Sequence, residues 1–199
     1  MTRWYLKLNE QCSLSQESID YIESLKPHKA KQWDLKSKEM KKYKEELLSE
    51  LMRIQDNRCV YCGLSLLRVL VDREHFVPKS KKNYYEFTFH PMNLFAACTY
   101  CNRRLKGTKS TLTKFDHNFE LCKFSIVHPV LEDSEHFIEF IEDSEGEPIL
   151  VKSLNKKGEK TINMFGLDDP QLIIQRSGYL QQIKKSQTLQ AQAVAYKRS

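Results

Sequence analysis

Two Cys-x-x-Cys pairs, Cys59/Cys62 and Cys98/Cys101, constrain this chain more than any other feature of it. A two-residue spacer lets both sulfurs of a pair face one tetrahedral centre, and four thiolates at about 2.3 Å are a natural cage for Zn²⁺. The pairs lie too far apart for one hairpin but close enough for a hairpin and a loop, so the intervening chain should fold around the ion. With sulfur at all four positions no coordination site stays open, and the zinc is read as structural. Any chemistry must come from other groups. Cys12 and Cys122 are left over and are expected as small buried hydrophobes in a reducing compartment.

Between the pairs, Val69-Leu-Val-Asp-Arg-Glu-His-Phe-Val-Pro78 has strand character that the proline ends. Directly after the last cysteine, Asn102 opens a polar, basic segment that reads as a short helix closed by Gly107. If the ion clamps that helix against the strand, His75, Glu74 and Asn102 are expected to converge. A carboxylate and an amide oxygen can share a hard cation such as Mg²⁺ or Mn²⁺, and a neutral imidazole beside it can take a proton from water. The plainer alternatives are a packed histidine at a strand end and an amide that merely starts a helix. Asp72 is a second candidate carboxylate, His117 a second candidate ligand, and His90, His128 and His136 are expected to be structural.

In this order, Cys-x-x-Cys, Glu74-His-x-x-Pro-Lys79, Asn93-Leu and Cys-x-x-Cys-Asn102-x-x-x-Lys-Gly resemble the HNH endonucleases. The resemblance implies a ββα-metal, treble-clef-like finger stapled by a four-cysteine zinc site, hydrolysing DNA. It makes His75 the general base, Asn93 the residue that orients the histidine loop, and Asn102 a ligand of a catalytic Mg²⁺ or Mn²⁺. Glu74 stands at the family's metal-carboxylate position, where aspartate is more usual. Without the resemblance, Asn93 would read as a turn cap.

Charge adds a direction. The formal net charge of +6 is modest for 199 residues, so its distribution matters more than its size. Arg103, Arg104, Lys106, Lys109 and Lys114 form a run without an acid, and Lys79 follows the histidine loop; phosphate contact is expected at these positions. Lys81, Lys82, Tyr84 and Tyr85 extend the mixture of cations and rings. From Glu132 to Glu147 the sign reverses, and that stretch should face away from a nucleic acid. No apolar run approaches the roughly 20 residues of a membrane span, and the first residues lack the apolar core of a signal peptide. A cytoplasmic protein is therefore expected.

The overall expectation is an α+β chain: an N-terminal helical extension over 1–57, the nuclease core with its zinc over 58–115, and a C-terminal hairpin and helix over 116–199, packed as one unit. Met40, Tyr43, Leu47, Leu48, Leu51 and Ile54 recur at threes and fours and predict an amphipathic helix from Lys36 to about Asn57, with its lysines on a solvated face. A shorter helix capped by Ser13 or Ser15 precedes it. Strands are expected over Ser65–Phe76 and Leu94–Ala97, with a loop over Pro78–Pro91 and a helix over Thr99–Lys106. Alternation around Asp143-Ser-Glu-Gly-Glu147 predicts a β-hairpin, and Asp168 or Asp169 with Pro170 starts a terminal helix. Phe124-Ser-Ile-Val-His-Pro129 with Gly158-Glu-Lys-Thr-Ile-Asn-Met-Phe-Gly-Leu-Asp168 resembles the PtuB-type HNH nucleases of Septu and retron-associated anti-phage systems. That resemblance implies an ATPase partner of the PtuA type.

Overall fold

The computed structural model describes residues 4–79 and 84–196. Its elements are α1 (Gln16–Ser24), α2 (Lys38–Ile54), β1 (Val71–His75), β2 (Leu94–Cys98), a π-helical turn (Tyr100–Lys106), β3 (Leu112–Lys114), β4 (Lys123–Phe124), β5 (Ile138–Glu142), β6 (Pro148–Ser153), α3 (Lys156–Phe165) and α4 (Pro170–Tyr196). The strands form three separate antiparallel pairs, β1 with β2, β3 with β4, and β5 with β6. This is an α+β arrangement of helices and small hairpins.

Helix α2 is where local pattern and packing agree best. Ser37 caps it by accepting a hydrogen bond from the Met40 amide, and Met40, Tyr43, Leu47 and Leu51 are all buried. Each such side chain contributes about 1.5–3 kcal/mol by leaving water, enough to hold a helix whose exposed face is mostly charged. The helix ends at Gln55, which is 2 % exposed and takes the place of a missing strand. Its amide donates to Ala96 O at 2.7 Å and accepts from Ala96 N at 2.8 Å, satisfying the outer edge of β2. In α1 the cap is Ser15.

The β1–β2 ribbon pairs Asp72 with Ala97, Glu74 with Phe95 and His75 with Leu94. Its strands are unlike each other: Leu94-Phe-Ala-Ala-Cys98 is almost wholly buried, whereas β1 carries four ionisable residues in five. The strand expected over Ser65–Phe76 is confined to Val71–His75, because Ser65 turns back to bridge Arg58 and Leu67 and Leu70 point into solvent. The helix expected over Thr99–Lys106 is a π-helical turn over Tyr100–Lys106, closed by Gly107 N donating to Asn102 O at 2.7 Å. Within the loop after Pro78, Tyr84 stacks on Phe115 and Phe87 packs edge-on to Phe119, so these rings belong to the core. Lys81 and Lys82 lie outside the described residues.

The C-terminal hairpin forms over β5 and β6, and Asp169 caps α4 through the Gln171 amide. Helix α3 has no counterpart in the expectations from sequence. Its punctuation is present, since Asn155 caps it through two amides and Gly166 ends it in the left-handed conformation. Buried contacts run through one cluster from Tyr5 to Leu167.

The first described residues thread through this core. Leu6 N bonds to Val60 O and Leu8 N to Pro129 O, while Trp4 is fully buried and donates through Nε1 to Pro148 O at 2.7 Å. Tyr179 packs edge-on to that indole, and the guanidinium groups of Arg58 and Arg176 lie over it at 5.5 and 5.6 Å. Gly63, at φ +72°, closes the first cysteine loop with its α-carbon against the Trp4 backbone; a Cβ there would sit 2.2 Å from Trp4 O. Gly63→Ala is therefore expected to lower stability by at least about 2 kcal/mol through strain and backbone collision. Thermal denaturation followed by circular dichroism checks this, and an unchanged midpoint would remove the Trp4 contact from the account.

Candidate functional site

The sulfur atoms of Cys59, Cys62, Cys98 and Cys101 all lie within 4.8 Å of one another, close enough to hold one metal ion such as zinc. Cys59 and Cys62 stand on a tight loop in which Cys59 N bonds Leu64 O and Gly63 N bonds Cys59 O. Cys98 ends β2, and Cys101 lies on the π-helical turn. Two backbone amides point at the sulfurs, Cys98 N at Cys59 Sγ and Cys101 N at Cys98 Sγ, each at 3.4 Å. Among themselves the sulfurs compete for protons: Cys98 is held far below the usual thiol range by its hydrogen bond from Cys101, and Cys101 is pushed far above it by bonds to Cys59, Cys62 and Cys98. Four thiolates crowded together need a cation, so the donor chemistry fits a tetrahedral zinc. His117 is no part of this cluster; it is exposed and paired with Glu86.

Adjacent residues of a strand face opposite sides, and this decides how the other candidates are arranged. Asp72 and Glu74 face the π-helical turn, whereas Arg73 and His75 face α2 and the turn Ala30–Asp34. On the first side, Glu74 is 3 % exposed, and its Oε1 lies 2.6 Å from Lys106 Nζ and 3.2 Å from the Tyr61 hydroxyl that donates to it. Lys106 Nζ also donates to the His75 carbonyl at 2.8 Å. Burial raises the Glu74 pKa against the opposing pull of Lys106. Asn102 donates to Asp72 Oδ2 at 3.0 Å, and Arg103 binds the same carboxylate through two nitrogens at 2.9 and 2.6 Å.

On the second side, the His75 ring packs edge-on to Trp33 at 4.4 Å, and its Nε2 lies 3.0 Å from Thr88 O. A carbonyl only accepts, so Nε2 carries the proton and Nδ1 keeps the lone pair. No described group bonds Nδ1, and it is not among the sealed atoms without a partner, which among the described residues belong to Arg176. Burial lowers the His75 pKa to about 3, so the ring is neutral at ordinary pH. Asn93 is fully buried; its Oδ1 accepts from Val77 N at 2.6 Å, and its Nδ2 donates to Val77 O and Phe87 O. That amide fixes the loop leaving His75 to the loop that supplies Thr88.

The structure thus gathers His75, Asn93 and Thr88 on one side of the ribbon, while the Glu74 and Asn102 side chains lie on the other, each with its own partner. The convergence expected over one cation is not present: the Glu74 carboxylate has an ammonium beside it, and the Asn102 amide is bound to Asp72. As they stand, these two side chains do not fit a Mg²⁺ or Mn²⁺ site. Of the expected phosphate contacts, Arg103 and Lys106 are spent on Asp72 and Glu74, and Lys79 lies 3.4 Å from Asp34. Arg104 and Lys109 are exposed, and Lys109 turns back to Leu105 O. The acids from Glu132 to Glu147 are partly matched, Glu132 by Lys157, Asp133 by Lys7 and Glu147 by Lys184. No helix among the described residues is long and apolar enough to cross a membrane.

No protein-family model and no curated protein matches the chain. Trp33 and Thr88, which enclose His75, carried no signal in sequence because each reaches it from a distant segment. Lys106 likewise reads in sequence as one more cation of the basic run, and its pairing with Glu74 emerges only in the fold.

Two outcomes follow from this geometry. Removing one member of a buried ion pair strands the other, at a cost of about 3–5 kcal/mol. Lys106→Met and Glu74→Gln should each destabilise the protein strongly, while the double variant loses less than their sum in urea denaturation. The Lys106→Met defect should shrink on acidification, because a carboxyl whose folded pKa is raised costs nothing below its unfolded pKa, and the cost grows as pH climbs from there to the folded value. For His75 the sign is opposite: its folded pKa of about 3 lies below the unfolded value of 6.5, so it withdraws stability as pH falls through that window. Ring proton resonances should show His75 uncharged from about pH 8 to about pH 5, and a titration midpoint near neutrality would contradict its burial.

Proposed function

We propose that the chain is an HNH-type endonuclease, built on a ββα-metal finger over 58–115, that hydrolyses DNA phosphodiester bonds with His75 as general base. The observation that carries this reading is the state of the imidazole. It is neutral, its tautomer is set by Thr88 O, its loop is braced by Asn93, and its Nδ1 lone pair is open. A base so prepared removes a proton from water without first losing one of its own. The resulting hydroxide attacks phosphorus in line, the 3′ oxygen leaves and takes a proton from solvent, and the products carry a 5′ phosphate and a 3′ hydroxyl. Lys79, whose charge is felt at His75, would leave Asp34 to meet a non-bridging oxygen.

Geometry supports the base; the catalytic Mg²⁺ or Mn²⁺ rests on the resemblance alone, and with Glu74 held by Lys106 and Asn102 by Asp72 no ligand set is assigned to it. When bound, such an ion neutralises charge that develops on the phosphate. The zinc is proposed as structural, holding β2 and the π-helical turn against the first cysteine loop. By the separate resemblance of Phe124–Pro129 and Gly158–Asp168 to the PtuB-type nucleases, we propose the enzyme as the effector of a bacterial anti-phage system with a PtuA-type ATPase partner, which co-purification from cells expressing both tests.

A second reading has its own observation. Because Lys106 occupies Glu74 and Asp72 occupies Asn102, a zinc-stapled module that binds nucleic acid or a partner without cutting also fits. Plasmid relaxation with Mg²⁺ or Mn²⁺, against chelator, separates the two. The endonuclease reading expects ion-dependent nicking that falls at least about 10³-fold in His75→Ala, with zinc content and folding retained. Nicking that persists in a folded, pure His75→Ala protein would reject the base, and no cutting by the wild type, alone or with the ATPase, would leave the binding module.

A further inference from the structure

The basic residues that the sequence marks for phosphate contact are largely occupied, yet another set of cations gathers on the other side of the ribbon. Arg73 leaves β1 on the same side as His75, and its Nε donates to Lys44 O at 2.6 Å. Its two terminal nitrogens have no partner among the described residues and are not sealed from solvent. Lys44 Nζ lies over the Trp33 ring at 5.0 Å, and Trp33 in turn touches His75. Lys79 approaches from the loop after the histidine, and Lys36, exposed just before α2, completes the group. The acids acting on these cations are Asp34, two-thirds exposed beside Lys79, and Glu45 and Asp72 at Arg73. Lys44 registers the crowding directly: burial first, and then Lys36, Arg73 and Lys79 against Asp34, lower its pKa.

These cations are held in place by a rigid bed. Trp33 packs against Tyr43, Phe89 and His75, so the turn that carries it is fixed to α2 and to the histidine loop together. The N-terminal extension is thereby part of the rim of the His75 site. Its lysines also divide into two groups: Lys42 pairs with Glu17 on the side of α1, whereas Lys44 faces the ribbon.

We infer that Lys36, Lys44, Arg73 and Lys79 form the track on which a nucleic-acid backbone lies across His75, and that the N-terminal extension is a substrate-binding element. Phosphate oxygens would replace Asp34 at Lys79 and meet the free end of the Arg73 guanidinium, a fork suited to two oxygens of one phosphate. The inference rests on the endonuclease reading for what is cut, and on its own geometry for what is bound.

Fluorescence anisotropy with a labelled DNA duplex, in chelator to prevent cutting, tests it. Lys36→Glu/Lys44→Glu should weaken binding about tenfold or more and flatten the logarithmic salt dependence by about 2, one contact per cation. Lys156→Glu/Lys160→Glu on α3 makes the same change in net charge at exposed positions away from the rim and should shift affinity less than about twofold. Equal losses in the two variants would reduce the effect to overall charge and overturn the track. So would an unchanged affinity in the first variant, or a wild type that does not bind DNA. Lys44→Arg, which keeps the charge, should restore binding if charge is what matters; a Lys44→Arg protein as weak as the glutamate variant would also sink it. Failure to nick with binding and its salt dependence intact would count against the endonuclease reading and leave the track standing.

Discussion

Four sulfurs drawn from two distant stretches set the geometry of everything near them. Their proximity fixes the end of β2, the first cysteine loop and the start of the π-helical turn relative to one another. None of these pieces could hold its position alone: the loop is a few residues of tight turn, and the turn after Cys101 is a single irregular coil. Once the sulfurs are gathered, Lys106 arrives beneath the ribbon and its ammonium reaches both the Glu74 carboxylate and the His75 carbonyl. The backbone at the histidine is therefore held from below by a charge whose own position depends on the cysteines.

The ribbon separates two environments that differ in purpose. Beneath it, charges are paired: Glu74 with Lys106, and Asp72 with Arg103 and Asn102. Above it, among the described residues, an unprotonated ring nitrogen has no bonding partner and stands near more cations than acids. Buried amides join the layers. Gln55 completes the edge of β2 through Ala96, and Asn93 holds Val77, so the two positions flanking the ribbon are fixed by side chains that do not titrate. Such an arrangement keeps the imidazole in one tautomer and one orientation over a wide range of pH.

Much of this was legible in the chain. Cysteine spacing located the cluster, apolar periodicity located α2, and turn residues located the β5–β6 hairpin, because each depends on neighbours a few positions away. What escaped was nonlocal or was masked by adjacency. Glu74 and His75 are neighbours in sequence, which invites a shared site, yet the two-residue period of a strand sends them to opposite sides. Lys106 reads as one more cation in a basic run until its buried partner is found. Trp33 sits in a short turn of ordinary composition, and only tertiary packing puts it against His75. Helix α3 was signposted by Asn155 and Gly166 but carries a glycine and two lysines in its first turn, which obscures the pattern.

The burial of Trp4 has a practical corollary. One indole meets Pro148 of β6, Tyr179 and Arg176 of α4, and Arg58 beside the first cysteine, while its own backbone fills the space that Gly63 leaves. A fragment cut to the cysteine-bearing middle, starting near residue 58 and stopping near 115, would expose the floor of its own first cysteine loop. Shortened versions for expression or crystallography should accordingly begin ahead of Trp4 and run past Leu180, even when only the middle of the chain is wanted.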